Sequence, residues 1–527
     1  MEHEKETGVR LVRHVLGIDI GTTGVKGLLV SEAGDITASA SVEYPLLIPR
    51  PNWAEQNPQT WWEASVSATR ACLEKARATV GKRIEVTAIG LSGQMHSSVF
   101  LDSCGEVLRP AILWCDQRTI PQCQEITDIV GFDRLLELTF NRALAGFTAP
   151  KILWLRQHEP EVYAQVCKVL LPKDYIRYRM TGVFATDVSD ASGTLLFNVA
   201  GRKWSDEMLH ALRIPHEWLP DCFESPEISS HISEEAASIL GLTEGTPIVG
   251  GAGDQAAGAV GNGIIREGLA SCVLGTSGVV FWHSDKPTFD PLGRLHSFCH
   301  AVPGKWHLMG VTLTAGGALR WFRDTFCQNE INEAKLKGVD PYEIIIQKAA
   351  GVLPSSEGLV FLPYLSGERN PHADANARGA FLGLSLRHTR AHLARAVLEG
   401  VTMNLKDCLE LGRELGVTTT QVSLSGGGAR SIHWQQMAAD IFGIDVVRNG
   451  VDEGPAYGAA VLAAVGAGLF NSVEEACAKL IHTVDSMAPD PARSQVYRRL
   501  YDLYQPLYAT LKDFFNSDAA FVEGIAQ

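Results

Sequence analysis

The sequence contains no pair of cysteines spaced as CxxC, although eleven cysteines are scattered along its 527 residues. This absence, together with the odd number, argues against a zinc cage and a disulfide framework, and it predicts a protein of the reduced cytoplasm. Positive charge is also scarce, since 46 Lys and Arg stand against 60 Asp and Glu for a formal charge of -14. Nucleic acid and anionic membranes are therefore not expected as partners.

Long apolar runs are missing as well. The N-terminal stretch MEHEKETGVRLVRH lacks the apolar centre of a signal peptide, and the small apolar run from Gly458 to Phe470 is too short to span a bilayer. The motifs GxxxxGK[ST], GxGxxG, GxSxG and HExxH do not occur. A soluble protein is expected, without a P-loop, and its length predicts at least two large domains.

What the sequence does contain is an α/β alternation that repeats. The strand-like runs VLGIDI, EVTAIGLS, TPIVGG and VSLSGG alternate with amphipathic stretches such as residues 388–415. Two segments show the same pattern of a strand, a glycine turn and a second strand: HVLGIDIGTTGVKGLLV and LASCVLGTSGVVFWHS. In this pattern Gly21–Val25 matches Gly275–Val279. The match predicts a duplication that produced two related α/β domains facing each other.

The two turns have the composition of phosphate-binding turns. Glycine allows close approach of the backbone, and short hydroxyls beside exposed N–H groups suit phosphate oxygens. One copy alone is more typical of an ordinary hairpin than of a phosphate site, but two copies favour phosphate contacts from Gly21, Thr22, Thr23, Gly275, Thr276 and Ser277.

The first turn also has a carboxylate that the second lacks. Asp19 lies two residues before Gly21, whereas Val273 holds the corresponding place in the second copy. Beside a polyphosphate, Asp19 is expected to hold Mg²⁺ directly or through water. Lys26 is a candidate phosphate partner, with exposure to solvent as the alternative.

Two further glycine runs follow in the second half. SGGGARSIHWQQMAADI follows a strand and opens a helix, where a phosphate, an adenine ring or close packing would each explain the glycines. The nucleotide contacts predicted there are Gly426, Gly427, Gly428, Ala429 and Ser431. DEGPAYGAA, from Asp452, places Pro455 near a helix start and favours close helix packing over ligand contact.

Taken together, the motifs resemble those of the FGGY group of carbohydrate kinases, within the actin/Hsp70-like superfamily. The strings that carry the resemblance run in the family's order from about Val15 to the 480s and include GIDIGTTGVK, GLSGQMHSSVFLD, RPAILWCDQR, FTAPKILWL, LLPKDYIRYRMTG, SDASGT, GAGDQAAGAVG, LGTSGV, HSFCHAVPGKWHLM, FLPYLSGERNPH and SGGGARSIHWQQM. The short glycine motifs mark the superfamily, whereas the longer strings with Trp, His and Met are more specific.

The resemblance implies an architecture and a reaction. Two actin-like (ribonuclease H-like) domains would face each other across a cleft, with a tail at 1–13, a sugar-binding domain at 14–254 and a nucleotide-binding domain at 255–527. ATP with Mg²⁺ would phosphorylate D-xylulose at its 5-hydroxyl. A homodimer is left open.

The resemblance also assigns a base and a sugar site. Asp254 of GAGDQAAGAVG matches the family's catalytic base, although a helix N-cap would also explain an Asp there. The sugar contacts expected are Met95, His96, Trp114, Asp116, Arg118 and Gln255. The alternatives are core filling for Met95, an ordinary satisfied polar role for His96 and a salt-bridged turn for the loop WCDQR.

Three departures from the family pattern bear on the substrate. Gln255 stands where some relatives have Asn, Cys115 interrupts the more usual Trp-Asn-Asp, and about a dozen residues precede the first strand. The first two leave the preferred sugar open. Ribulose or gluconate are alternative acceptors, gluconate requires an additional cation for which Arg118 is the candidate, and an actin-like ATPase without a sugar substrate is the remaining alternative.

Overall fold

The computed structural model describes residues 12–80, 84–451 and 454–526. The chain forms two compact units. The first unit comprises Met1–Ile265, Phe298–Trp306 and Glu453–Ile481, and the second comprises Arg266–Ser297, His307–Asp452 and His482–Gln527. This division differs from a single boundary after residue 254, because the chain returns twice to the first unit. Most of the expected tail, residues 1–11, lies outside the described residues.

The strands, in chain order, are β1 (Val12–Ile20), β2 (Gly24–Ser31), β3 (Ile36–Glu43), β4 (Glu55–Gln56), β5 (Ile84–Gly93), β6 (Val99–Leu101), β7 (Ala111–Ile112), β8 (Lys168–Leu170), β9 (Ala185–Asp187), β10 (Phe197–Asn198), β11 (Lys203–Trp204), β12 (Asp221–Phe223), β13 (Ile228–His231), β14 (Pro247–Val249), β15 (Ala252–Gly253), β16 (Gly268–Leu274), β17 (Gly278–Ser284), β18 (His296–Cys299), β19 (Trp306–Thr312), β20 (Val360–Leu362), β21 (Ala380–Leu382), β22 (Thr419–Ser425), β23 (Asp445–Asn449) and β24 (Thr483–Met487).

The α-helices, in chain order, are α1 (Pro58–Val80), α2 (Ile120–Val130), α3 (Phe132–Thr139), α4 (Thr148–His158), α5 (Pro160–Tyr163), α6 (Pro172–Thr181), α7 (Val188–Ala191), α8 (Asp206–Leu212), α9 (Glu234–Leu240), α10 (Asp254–Gly261), α11 (Gly316–Phe326), α12 (Gln328–Lys337), α13 (Pro341–Ala350), α14 (Arg390–Glu414), α15 (Ile432–Phe442), α16 (Gly454–Gly466), α17 (Val473–Leu480), α18 (Pro491–Tyr504) and α19 (Leu507–Ala526). Short 3-10 helices lie at Ser192–Thr194, His216–Trp218, Ser356–Gly358 and Gly427–Arg430.

The sheet of the first unit is built around β1. Its strand order is β13-β14-β5-β1-β2-β3, with β15 also paired to β5. β1 runs antiparallel to β2 and parallel to β5. The central run of β1 is buried on both faces, which explains why its sequence is nearly continuously apolar. Parallel strands β1 and β5 end at the same edge of the sheet, where the predicted ligand-binding residues are found.

The sheet of the second unit repeats this arrangement. Its order is β18-β19-β17-β16-β22-β23-β24. β16 runs antiparallel to β17 and parallel to β22, as β1 does to β2 and β5. The predicted repeat is therefore confirmed in topology: each unit has a central strand, a glycine turn, a returning strand and a parallel neighbour.

The fourth glycine run forms α16, which packs tightly within the first unit. The backbone carbonyl of Ala456 lies over Gly17 of β1, and that of Ala459 lies over Gly90 of β5. A Cβ at Gly458 would strike the carbonyl of Ala257 in α10. The predicted role of this run in close helix packing is confirmed, and its first residue, Asp452, lies outside the described residues.

The lengths and the hydropathy of the helices bear on membrane crossing. Within the described ranges, none of the helices is both long enough and apolar enough to traverse a bilayer.

Candidate active site

The first glycine turn, between β1 and β2, is held by hydrogen bonds from several neighbours. Gly21 N–H donates to the carbonyl of Gly24 at 3.0 Å, and the Tyr44 hydroxyl donates to the Gly21 carbonyl at 2.6 Å. Gln56 Nε2 donates to the Thr22 carbonyl at 2.7 Å. The turn is therefore held in one conformation by the protein itself. Such preorganisation is what a phosphate-binding turn requires.

Asp19 ends β1 two residues before this turn. Burial raises the pKa of its carboxyl group to about 6, and the Ser92 side chain and then the charge of Lys26 lower this pKa by smaller amounts. Lys26 is half-buried and lies directly across from Asp19 in the hairpin. No described residue forms a hydrogen bond with the buried Oδ1 of Asp19. A buried carboxylate oxygen without a donor is a position that a cation would stabilise.

Asp254 is the first residue of α10, and Gly253 holds the N-cap position. The alternative interpretation of Asp254 as the N-cap is therefore wrong, and no side chain caps this helix. Burial, and then the charge of Asp19, raise the pKa of Asp254 to about 7, while hydrogen bonds with Gln255 lower it by less. A carboxyl group with this pKa can accept a proton near neutral pH.

Met95 and His96 follow the carboxyl end of β5, as the sequence predicted. Met95 is 4% exposed, and its Cγ would lie 2.8 Å from a Cβ built on Gly253. The backbone of His96 is left-handed, at φ +68°. Its Nδ1 lies 2.6 Å from the Gly193 carbonyl, so this nitrogen carries the proton. The structure therefore brings Met95 next to the residue that precedes Asp254.

Trp114 connects the predicted sugar loop with the first glycine turn. Its indole Nε1 donates to Thr22 Oγ1 at 2.9 Å, and Thr22 Oγ1 in turn lies 3.3 Å from Gln94 Oε1. The Trp114 side chain remains partly exposed, at 37%. One face of the loop thus contacts the turn directly, a link that the motifs alone did not indicate.

Asp116 and Arg118 form a buried ion pair. Arg118 Nε lies 3.0 Å from both Asp116 carboxylate oxygens, and Arg118 Nη1 lies 2.7 Å from Glu55 Oε1. The guanidinium lies 3.6 Å from the centre of the Trp53 ring. Asp116 also accepts a hydrogen bond from Ala54 N–H at 2.6 Å. This is the salt-bridged turn that the sequence left as an alternative; sugar contact by Asp116 and Arg118 stays a prediction.

In the second unit, the other glycine turn and the third glycine run lie side by side. Val273 of β16 pairs with Ser425 of β22, so both strands end at the same edge. Gly426 has φ +83°, and a Cβ there would lie 2.8 Å from the Leu274 carbonyl and 3.3 Å from Gly275 N. The structure brings these two predicted nucleotide-binding segments together within one unit.

The remaining residues of the third run have different surroundings. At Gly427, no described atom lies within 4 Å of the position that a Cβ would take, so a ligand could approach its backbone. Gly428 packs against Trp434, and Ala429 is buried. The Ser431 hydroxyl accepts a hydrogen bond from Trp434 N–H at 3.3 Å and caps α15. Packing therefore explains part of the run, and its nucleotide contacts stay a prediction.

Sequence reasoning did not single out Gly316 and Gly317, which support the second turn. Gly316 N–H donates to the Gly275 carbonyl at 2.7 Å, and Gly317 N–H donates to the Thr276 carbonyl at 3.1 Å. A Cβ on Gly316 would lie 2.7 Å from that Gly275 oxygen. The adjacent pair of glycines at the start of α11, separated from the end of β19 by three residues, was the signal available.

Two family models match the chain in succession. The N-terminal domain of the FGGY family of carbohydrate kinases matches residues 14–261, and the C-terminal domain matches residues 270–467. The chain belongs to the FGGY family of carbohydrate kinases. Members of this family transfer a phosphoryl group to an alcohol.

Individual relatives cover nearly the whole chain. A xylulose kinase from Escherichia coli is 42% identical over 94% of this chain and 100% of its own length. A gluconokinase from Bacillus subtilis is 33% identical over 98% of this chain and 99% of its own. The crystal structure of a xylulose kinase from Rhodospirillum rubrum superposes with a TM-score of 0.87 and 33% identity, covering 96% of this chain and 100% of that one.

Lys151, which sequence reasoning did not single out, contacts the backbone of the predicted sugar-binding residue His96. Its ammonium group is fully buried and donates to the carbonyls of His96 at 2.9 Å and Gly146 at 2.5 Å. Burial lowers the pKa of Lys151 to about 7, and the charge of Asp116 opposes this shift. The Thr148 hydroxyl donates to the same His96 carbonyl at 3.0 Å, so two buried donors bind the backbone of this left-handed residue.

Proposed function

We propose that this FGGY kinase transfers the γ-phosphoryl group of ATP to the 5-hydroxyl of D-xylulose, giving D-xylulose 5-phosphate and ADP. The observation that supports it most directly is the buried carboxyl group of Asp254, whose pKa of about 7 is raised partly by Asp19 beside the first phosphate turn. A proton acceptor in reach of bound phosphate is what transfer to an alcohol needs. The relatives named xylulose kinase supply the choice of sugar.

Asp254 acts as the general base in this proposal. It accepts the proton of the 5-hydroxyl as the oxygen attacks the γ-phosphorus, and the bond from that phosphorus to the ADP oxygen breaks. The glycines and alanines around Asp254 leave room for sugar and phosphate at one carboxylate. Met95 and His96 orient the sugar, with Gln255 as a further hydrogen-bonding partner.

The family uses ATP as substrate and usually a divalent metal, and we assign Mg²⁺. No cluster of three potential ligand side chains occurs in the described part of the chain. This fits Mg²⁺, which binds through one or two carboxylates and takes its other ligands from water and phosphate. Asp19, with its unpartnered buried oxygen, would hold the ion. When bound, it neutralises charge on the phosphates.

The other nucleotide contacts that we propose come from the two glycine turns and from the third glycine run. Gly21, Thr22 and Thr23 with Lys26 on one hairpin, and Gly275, Thr276 and Ser277 on the other, donate to phosphate oxygens in this proposal. The Gly426–Gly428 backbone receives the adenosine. ATP use fits a cytoplasmic enzyme, as does the absence of a CxxC pair in the sequence.

Gluconate is the second candidate acceptor, because a gluconokinase is among the relatives. A site for gluconate needs a cation for the substrate carboxylate. The candidate cation, Arg118, has a side chain only 1% exposed and is already paired with Asp116 and Glu55. Its two carboxylate partners and its position over Trp53 favour a neutral sugar over an acidic one.

The test is ADP release by purified protein with Mg·ATP and a panel of D-xylulose, D-ribulose, L-ribulose, L-xylulose, gluconate and glycerol. The expected result is a clear preference for D-xylulose in kcat/KM. A preference for gluconate would overturn the sugar assignment and keep the kinase chemistry. Equal ADP release with every sugar and with none would instead place the protein among sugar-independent ATPases.

A further inference from the structure

A cluster of five charged side chains is fully buried in the first unit. Lys173, Asp174 and Arg177 belong to α6, Asp187 ends β9 and Asp190 belongs to α7, and each is 0% exposed. Lys173 Nζ lies 2.6 Å from Asp174 Oδ1, 2.9 Å from Asp187 Oδ1 and 3.2 Å from Asp190 Oδ2. A single ammonium group thus contacts all three carboxyl groups.

The charges in this cluster do not balance unless one carboxyl group is protonated. Three carboxyl groups face two cations, and burial raises the pKa of Asp190 well above its ordinary value despite the charge of Lys173. Burying such a cluster costs more free energy than an apolar core of the same volume would. A gain in stability therefore does not explain why these five residues are placed here.

The cluster is connected directly to the glycine loop that leads into Asp254. Arg177 Nη1 donates to the Val249 carbonyl at 2.6 Å, and Arg177 Nη2 donates to the Gly250 carbonyl at 2.5 Å. These carbonyls end β14 and begin the loop. The guanidinium therefore holds the loop at its first two residues.

Ser189 makes a second connection at the other end of the loop. Its hydroxyl donates to Asp187 Oδ2 at 2.6 Å and accepts a hydrogen bond from Gly253 N–H at 3.1 Å. Gly253 is the residue immediately before Asp254. Ser225 also donates to Asp187 Oδ2, at 3.1 Å, and its carbonyl accepts from Gly251 N–H at 2.9 Å. The loop is thus held at its start by Arg177, in the middle by Ser225 and at its end by Ser189, and the two serines both donate to the carboxylate of Asp187.

We propose that Arg177, Asp187 and Ser189 are positioning residues that fix the Gly250–Gly253 loop and so orient the carboxylate of Asp254 for proton transfer. The proposal rests on the function proposed above for Asp254. A loop of three glycines and one alanine has little conformational preference of its own. The last two residues of this segment are also held by the pairing of β15 with β5. Small displacements of a catalytic group reduce turnover strongly, so these side-chain hydrogen bonds add order that the glycine-rich sequence does not supply.

The test is the variant Ser189→Ala, with Ser65→Ala as its matched control. Ser65 is an equally buried serine of the first unit whose hydroxyl donates to the Trp61 carbonyl within α1, at 2.7 Å. Ser189→Ala is expected to lower kcat about 30-fold while KM for ATP stays unchanged. Hydrogen exchange in a peptide spanning residues 249–254 should become faster, because Gly253 N–H loses its acceptor. Ser65→Ala should change neither quantity.

Three results would overturn the positioning role. The first is an unchanged kcat in Ser189→Ala. The second is a lower kcat with unchanged exchange in the 249–254 peptide, and the third is a lower kcat that merely follows a lower folded fraction measured by circular dichroism. Ser189→Cys, with a weaker hydrogen-bonding group of similar size, should give an intermediate kcat.

Asp254→Ala separates this inference from the proposed function. If Asp254→Ala keeps its turnover, the assignment of the base is wrong, and the positioning role fails with it because it depends on Asp254 being the base. If Asp254→Ala is inactive and Ser189→Ala behaves as the wild type, the proposed function stands and the positioning role is refuted.

Discussion

Burial, and then the charge of Asp19, raise the pKa of the carboxyl group of Asp254. The two residues lie about 235 positions apart in the sequence, and the sheet of the first unit brings them together: Asp19 is in β1, and β15, which pairs with β5 beside β1, leads into Asp254. Because the charge of Asp19 contributes to the pKa of Asp254, a ligand that binds Asp19 should change that pKa.

Asp254→Asn should reduce kcat by about 1000-fold with nucleotide binding retained, because the amide has the shape of the carboxyl group but cannot accept the proton. Steady-state ADP release and ATP binding by titration calorimetry measure the two quantities. Asp285→Asn, at an exposed carboxylate of the second unit, is the control and should keep full activity. Turnover near that of the wild type in Asp254→Asn would exclude this residue as the base.

The pH profile of kcat/KM should have an acid limb near the pKa of Asp254, about 7. The sign follows from the role of the group: the base works when deprotonated, so activity rises with pH through this pKa and is lost below it. Asp19→Asn removes the negative charge that raises the pKa of Asp254. The acid limb of the profile should therefore move to lower pH, while the maximum rate falls. An acid limb that stays in place in Asp19→Asn would contradict the coupling.

Lys151→Met should raise KM for the sugar about 10-fold and leave KM for ATP unchanged. The physical reason is the loss of the ammonium donor to the His96 carbonyl, a charge-assisted hydrogen bond that supports a left-handed backbone. Lys168→Met is the matched control, since Lys168 also donates to a backbone carbonyl, that of Glu217 at 2.6 Å, but away from the site. Equal KM values for the sugar in both variants would refute the role of Lys151.

Gly316→Ala should raise KM for ATP at least 10-fold with little change in sugar affinity. The new methyl group would lie 2.7 Å from the carbonyl oxygen of Gly275. This oxygen belongs to the backbone of the second glycine turn, so it cannot move away without distorting that turn. Gly351→Ala is the control, because a Cβ there makes an ordinary contact at 3.4 Å with the Lys348 carbonyl. Sugar binding measured by tryptophan fluorescence and kinetics for ATP distinguish the two effects.

Much of the architecture could be predicted from local patterns. The match between Gly21–Val25 and Gly275–Val279 corresponds to two hairpins with the same neighbours in both sheets, because alternating apolar strands and glycine turns leave a direct trace in the sequence. The stretch at 388–415 forms α14, Arg390–Glu414. The position of Met95 and His96 after β5 also followed from the strand pattern.

Other features could not be predicted, because they depend on contacts between distant segments. Nothing local in α16 indicates that it returns to the first unit and lies over Gly17 and Gly90. The pairing of Arg118 with Glu55 joins residues 63 positions apart, so the short motif could not tell a sugar contact from a salt bridge. The buried charges around Lys173 likewise become a cluster only when α6, β9 and α7 meet.

The sequence by itself determined the family, the repeated α/β plan and the candidate residues, since each of these is recorded in short motifs and in their order. The tertiary structure decided the surroundings of those residues. Burial and the charge of Asp19 bring the pKa of Asp254 near neutral, Arg118 is paired with Asp116 and Glu55, and Lys151 and Ser189 form hydrogen bonds with the backbone of His96 and Gly253. These properties arise from desolvation and from hydrogen bonds between distant parts of the chain, and neither is defined until the chain has folded.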